Sequence, residues 1–202
     1  EDGTTGALAF SVSDVETAAG SLTVTAVSSN TTVIPNGNLT LVNLGGGNWT
    51  IAATPALNQT GGPVTITVTV SDGTTSTNET FDVTVTAQND APVITSNGGG
   101  PVANITVPEN GTVVTTVTSS DADGGPAVYS IVPVGSGGGA DAANFTINSS
   151  TGVLSFAAAP DYEAPTDVGA DNVYDVTVQV SDGNGGTTIQ ALSIVVTDVN
   201  EG

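Results

Sequence analysis

Apolar and polar residues alternate along much of the chain, as in "LTVTAVS" (22–28), "VTITVTVS" (64–71) and "FDVTVTAQ" (81–88). A period of two puts every second side chain on one face of a pleated strand, and the Val, Ile and Thr that fill these runs suit that surface. Helical spacing is nearly absent; "GADAANF" (139–145) offers one helical turn at most. Turn clusters such as "LGGGN", "SDGTTSTN" and "GNGG" punctuate the runs. The pattern predicts an all-β protein made of antiparallel β-sandwiches, each sheet burying one face.

The pattern also repeats. "VTVSDG" (68–73) matches "VQVSDG" (178–183) at an offset of 110, and "FDVTVTAQND" (81–90) matches "LSIVVTDVNE" (192–201) at 111. "EDGTTGALAFSVSD" (1–14) aligns with "ENGTVVTTVTSSD" (109–121) after a one-residue slip. Two tandem domains follow, 1–90 and 91–202, with Pro92 restarting an extended strand. The alignment is lopsided: "APVITSNGGGPVANITVP" precedes Glu109 and should form a first strand, whereas nothing equivalent precedes Glu1. The first repeat should therefore expose an unpaired sheet edge able to accept a strand from another chain. Three explanations stand open: a window of a longer repeat array, a strand supplied by a neighbouring subunit, or a fold that omits the strand.

Composition narrows the chemistry. The 202 residues contain 20 Asp and Glu but no Lys, Arg, His or Cys. Side-chain ion pairs are impossible, so the repulsion is tolerated, screened or cancelled by bound cations. Nothing can neutralise phosphates, which excludes a nucleic-acid partner. No apolar run reaches the roughly 20 residues of a membrane span, so membrane insertion is not expected. Disulfides, thiol chemistry, imidazole bases and cationic stabilisers are all missing. A paired-carboxylate glycosidase is the one conventional mechanism left, and the chain is not expected to be an enzyme.

The carboxylates are not scattered. Glu1, Asp2, Asp14, Glu16, Asp72 and Asp90 lie at strand ends or turns of the first repeat, as do Glu109, Asp121, Asp123, Asp161, Glu163, Asp182, Asp198 and Glu201 in the second. A merely solvated acidic surface would spread them evenly. A donor set of oxygens alone suits Ca2+ or Mg2+ and offers nothing soft for zinc or copper.

The motifs "PEN" (108–110), "DAD" (121–123), "FTINSSTGVLSF" (145–156), "DYE" (161–163), "VQVSDG" and "DVNE" stand in the order found in cadherin domains. The second repeat thus resembles a cadherin domain, in the style of the cadherin-like repeats of large bacterial surface proteins. More loosely, the first is similar to the Ig-like repeats of such adhesin or fibre proteins. The resemblance implies calcium held at joints between successive domains. At the joint inside this chain it points to Glu1, Asn89, Asp90, Asp121, Asp123 and Asp182, although Ala87 stands where an Asp would be expected and "TPALNQTG" lacks the "DYE" carboxylates. At the far end it points to Glu109, Asp161, Glu163, Asp198, Asn200 and Glu201. Their complement in a following domain or subunit would correspond to Asp14, Glu16 and Asp72. The implied function is a calcium-stiffened structural or adhesive element of an extracellular, cell-surface fibre, partnered by copies of itself or adjacent repeats and able to grow head-to-tail by strand exchange.

Other features fit alongside. Nine Asn-x-Ser/Thr sequons, at Asn30, Asn38, Asn48, Asn58, Asn78, Asn104, Asn110, Asn144 and Asn148, are candidate glycosylation sites, although Thr-rich strands generate such triplets incidentally. Trp49, the lone tryptophan, suits strand packing; stacking on a sugar would instead make the chain a carbohydrate-binding module. Tyr129, Tyr174, Phe81 and Phe145 are expected in the core. The glycine runs "SNGGGP" and "VGSGGGA" are not phosphate cradles, since neither opens a helix or precedes a Lys.

Overall fold

A computed structural model describes residues 1–201. The chain forms two compact units that divide between Gln88 and Asn89. The fold is all-β, and its helical content is limited to single 3-10 turns. One of these, Ala142–Asn144, occupies the "GADAANF" segment.

The first unit contains β1 (Leu8–Ser11), β2 (Thr23–Ser28), β3 (Leu39–Gly45), β4 (Asn48–Ala53), β5 (Gly61–Ser71) and β6 (Ser76–Val85). They form two three-stranded antiparallel sheets, in the orders β1-β4-β3 and β2-β5-β6. Alternation sorts the faces: along β5, Val64, Ile66 and Val68 are buried, and they meet Ile34, Ile51 and Ala53 in a core of eight buried residues. No aromatic ring is fully enclosed there; Phe10 and Phe81 pack on its margin.

The second unit contains β7 (Val93–Ile94), β8 (Val102–Pro108), β9 (Val113–Thr116), β10 (Ser119–Ser120), β11 (Val128–Ile131), β12 (Phe145–Ile147), β13 (Val153–Phe156), β14 (Val173–Ser181) and β15 (Thr187–Thr197). Two sheets, β11-β14-β15-β8 and β12-β13-β9, enclose the core, and β7 pairs with β10. The segment before Glu109 is two strands rather than one, because a turn at Ser96–Gly99 breaks it. Its second piece, β8, runs parallel to β15, the one parallel pairing among the described strands. Gln190 of β15, fully enclosed, donates to the carbonyl of Gly100 at 2.8 Å and accepts from Asn97 at 3.2 Å, which ties that turn down.

Fifteen buried residues form this core. Phe145, Phe156 and Tyr174 meet as a trio, with centroids 4.6 to 6.2 Å apart and Tyr174 edge-on to both phenylalanines. Such contacts add about 0.5–1.5 kcal/mol per pair beyond the area buried. Tyr129 is enclosed as well, and its hydroxyl meets Ser119 at 3.0 Å. Gly152 closes the β12–β13 turn at φ +71°, where a Cβ would strike the Val117 carbonyl. Both the left-handed conformation and the close approach require glycine.

Candidate calcium-binding carboxylates

At one end of the second unit, short loops bring Asn89, Asp90, Asp121, Asp123 and Asp182 together. The Asn89 amide donates to Asp182 Oδ2 at 2.6 Å, and the Asp90 N–H donates to Asp123 Oδ2 at 2.6 Å. Asp121 Oδ1 accepts the Asp123 N–H at 2.9 Å, a local turn that sets the two carboxylates of "DAD" in place. Asp182 directly follows β14 and is buried; it accepts from the backbone of Asn184 and Gly186. The Asn89 hydrogen bond, helped by the Asn184 and Gly186 amides, holds its pKa below the usual value against the opposing effect of desolvation. Gly186 leaves room for this carboxylate, because a Cβ there would run into Asp182 Oδ2 and Ala91 Cα.

Asp121 and Asp182 both line a cavity of about 40 Å³, enough for one water-sized occupant. Oδ2 of Asp121 is buried and has no hydrogen-bond partner. An orphaned carboxylate oxygen is costly unless something positive meets it, and the described residues hold no cationic side chain. A hard divalent cation fits this donor set.

The opposite end centres on Glu109, which is 3% exposed. Its Oε1 accepts the Val199 N–H at 2.8 Å and its Oε2 the Tyr162 N–H at 2.7 Å. One carboxylate therefore fastens two loops, those of "DYE" and "DVNE". Glu109, Glu163 and Asp198 each place an oxygen within 4.8 Å of the others. Asp161 accepts the Glu163 and Ala164 N–H groups and shapes the turn. Asn110 donates to Glu201 at 2.6 Å. A backbone hydrogen bond at Glu163 pulls its pKa down, but desolvation and the charges of Glu109, Asp198 and Asp161 outweigh it, and the net shift is upward. A bound cation would relieve this repulsion.

The candidates of the first unit are arranged differently. Asp14 Oδ1 caps the N–H groups of Glu16 and Thr17. Asp72 is occupied within its own turn by Thr74 and Thr75, whose backbone and hydroxyl donors lower its pKa to about 2. Among the described residues, Asp14, Glu16 and Asp72 form no three-carboxylate group. Within the first unit, the Glu1 ammonium donates to the Thr86 carbonyl at 2.6 Å and its carboxylate accepts the Gln88 N–H at 3.2 Å.

Two buried carboxylates carry structural weight that the motifs did not reveal. Asp141 accepts from Val168 at 2.7 Å and Asp175 at 2.8 Å, and Asp167 from Asp171 at 3.0 Å and Asn172 at 3.1 Å. With the Tyr174 hydroxyl, which accepts from Thr166, they hold the 161–172 loop that presents Asp161 and Glu163. An Asp three residues before Asn144 at a one-turn helical segment was the only hint, since their partners are backbone N–H groups.

Seven of the nine sequon asparagines are exposed, while Asn38 and Asn144 are half-buried. The amides of Asn48, Asn110 and Asn144 already donate within the fold. Trp49 sits half-buried in β4 opposite Phe10, its Nε1 enclosed, as a packing residue does.

The cadherin domain family model matches residues 103–197, a stretch confined to the second unit. Among solved structures, the chain is similar to extracellular cadherin domains 1–5 of protocadherin gamma B2, with 20% identity, a TM-score of 0.52, and coverage of 90% of this chain and 34% of that one. It is also similar to protocadherin gamma B7 domains 3–6, in a cis-dimer structure, with 22% identity, a TM-score of 0.50, and coverage of 88% and 42%. These likenesses show a cadherin-like fold, and the chain spans less than half the length of either structure. No curated protein matches the chain. No described helix is long and apolar enough to cross a membrane.

Proposed function

We propose that this chain is a calcium-stiffened structural or adhesive repeat of an extracellular fibre, continued by copies of itself or by adjacent repeats. The carrying observation is the convergence of Glu109, Glu163 and Asp198 in a chain without a single cationic side chain. Cadherin domains are extracellular adhesion modules that generally bind calcium, which supports the same reading. Glu109, Glu163 and Asp198, with Asp161, Asn200 and Glu201 nearby, would hold calcium at one end of the second unit. Asn89, Asp90, Asp121, Asp123 and Asp182 would hold it at the other. The ion supplies charge neutralisation, and the chain supplies oxygens fixed by backbone hydrogen bonds.

The mechanism is linkage. An ion that binds the ordered loops and not the unfolded chain stabilises the former by about 2.7 kcal/mol at a hundredfold excess over Kd. Extracellular modules bind calcium at about 10⁻⁴ to 10⁻³ M, so external calcium would keep such sites filled. Calorimetric titration tests this directly. Binding in that range that weakens in both Glu109→Gln and Asp121→Asn is expected; absence of any calcium heat or thermal shift at 10-fold higher calcium sinks the reading.

A further inference from the structure

Asparagine is followed by glycine at Asn36, Asn97, Asn110 and Asn184. This pairing is chemically labile in water. The glycine nitrogen can attack the asparagine side-chain amide carbon, because no Cβ hinders its approach. A C–N bond forms, the nitrogen's proton passes to solvent, ammonia leaves, and a cyclic succinimide results. Water then opens either carbonyl of the ring and leaves aspartate or isoaspartate. The sum consumes water and releases ammonia, with no oxidation or reduction and no other reactant.

The fold treats the four pairs differently. A Cβ built at Gly37, Gly98, Gly111 or Gly185 would meet nothing within 4 Å, so crowding at the glycine does not separate them. The asparagine side chains do. Asn36 Oδ1 accepts the Ser28 N–H at 2.8 Å. Asn97, half-buried, accepts from Thr115 at 3.1 Å and donates to Gln190 at 3.2 Å. The Asn110 amide donates to the Glu201 carboxylate at 2.6 Å. Each such bond must break before the amide carbon can turn toward the next nitrogen, which slows the reaction about two- to tenfold per bond. Asn184 lies exposed in the β14–β15 turn. Its backbone N–H is held by Asp182 at 2.7 Å, while its side chain bonds to nothing among the described residues. The attacking nitrogen, that of Gly185, is restrained by the pull of the Asp182 carboxylate on its N–H.

We infer that Asn184 and Gly185 form a self-modification site: in the folded protein this pair loses ammonia before the other three and becomes a mixture of aspartate and isoaspartate. Its place gives the change a consequence. Asn184 and Gly186 supply backbone N–H groups that hold Asp182, at 2.7 Å and 3.0 Å. Isoaspartate routes the backbone through the side-chain carbon and lengthens the stretch between those donors, so they no longer fit the same carboxylate. Either product also adds a negative charge near Asp182, in a chain with no cationic side chain to offset it. Ageing of this turn thereby loosens the carboxylate cluster at that end of the second unit. The inference goes beyond the fibre reading and needs no calcium.

The test incubates the intact 202-residue chain in chelator at mildly alkaline pH, native and in urea, and digests it with a protease that cuts before aspartate. The fragment 182–197 contains Asn184 and no other asparagine. In the native chain, Asn184 should convert at least about fivefold faster than Asn36, Asn97 or Asn110, and urea should bring the four rates together. A new cut before position 184 reports aspartate, and a deamidated fragment that resists it reports isoaspartate. Preferential loss at another pair, equal native rates, or a native Asn184 that stays intact while urea converts it overturns the inference. Asn184→Asp supplies the charge without the backbone change. The second unit of aged, isoaspartate-rich protein should melt below that of both fresh protein and this variant. Equal melting would overturn the loosening of Asp182.

Discussion

The second unit encloses fifteen core residues, four of them aromatic, and the first encloses eight with no aromatic among them. The extra cover does not come from richer strands. β5 and β14 alternate alike, and β6 and β15 descend from the same repeat. It comes from β8, which lies beside β15 in one unit, and from β12 and β13, which bring in Phe145 and Phe156. The carboxylates follow the same division. In the second unit the buried Glu109 fastens two separate loops, whereas in the first Asp14 and Asp72 cap their own turns and the longer-range bond is the exposed one from the Asn58 N–H to Asp2. A closed core and a cross-linked set of end loops go together, because loops can be pinned only on a frame that does not give.

Cutting the aromatic trio should break this contrast most severely. Tyr174→Ala removes an enclosed ring and the acceptor for the Thr166 N–H, and comparable truncations cost about 3–5 kcal/mol. Calorimetry should show the second unit's transition fall while the first stays in place. If both fall together, the units unfold as one block and the contrast is not energetic.

Calcium should act next most strongly, and also asymmetrically. Saturation at about a hundred times Kd is expected to raise the stability of the second unit by about 2.7 kcal/mol, with little change in the first. Chelator should reverse it. An equal gain in both units would mean that the first-unit carboxylates gather as well as the second's.

Much of the fold was legible in the sequence because it rests on alternation and on repetition, both carried by residue order. The 3-10 turn at Ala142–Asn144 and the enclosed Tyr129, Tyr174 and Phe145 follow from the same cues. The parallel placement of β8 was not legible, since alternation says which face is buried but not which neighbour is chosen. Phe81 is half-buried, although its type suggested core, because it lies on β6, the edge strand of its sheet. At the sites, motif order placed Glu109, Asp161, Glu163, Asp198, Asn200 and Glu201 in one set, and the structure brings carboxylate oxygens of Glu109, Glu163 and Asp198 together. Asp141 and Asp167 escaped notice for a physical reason: a carboxylate whose partners are backbone N–H groups leaves no partner residue to find.

A smaller change sharpens the comparison at Asp182. Gly186→Ala forces a methyl group into the Asp182 carboxylate and the Ala91 backbone, and overpacking of this kind costs about 1–3 kcal/mol. Calcium should bind more weakly, and the Asp182 pKa, followed by NMR, should rise toward its ordinary value as the Gly186 hydrogen bonds are lost. Unchanged affinity would mean that Asp182 serves the β14–β15 turn alone.

The smallest effect is a matter of sign. Asp72, held at about 2, binds its proton less readily folded than unfolded. It therefore supports the first unit above its ordinary pKa of 3.8, and that support is lost as pH falls from there toward 2. Glu163 behaves oppositely in chelator. Its raised pKa means that the folded state keeps a proton the unfolded chain releases, so stability declines as pH climbs above 4.5 and the repulsion is felt in full at neutral pH. Glu163→Gln removes that charge. In chelator at neutral pH the variant should melt slightly above the wild type, with the gain vanishing well below pH 4.5. With calcium present the order should invert, because the group that repels its neighbours in the free protein is one that would hold the ion. A variant that melts lower under both conditions would show that Glu163 stabilises its loop by itself, and that the crowding of Glu109, Glu163 and Asp198 is not arranged for a cation.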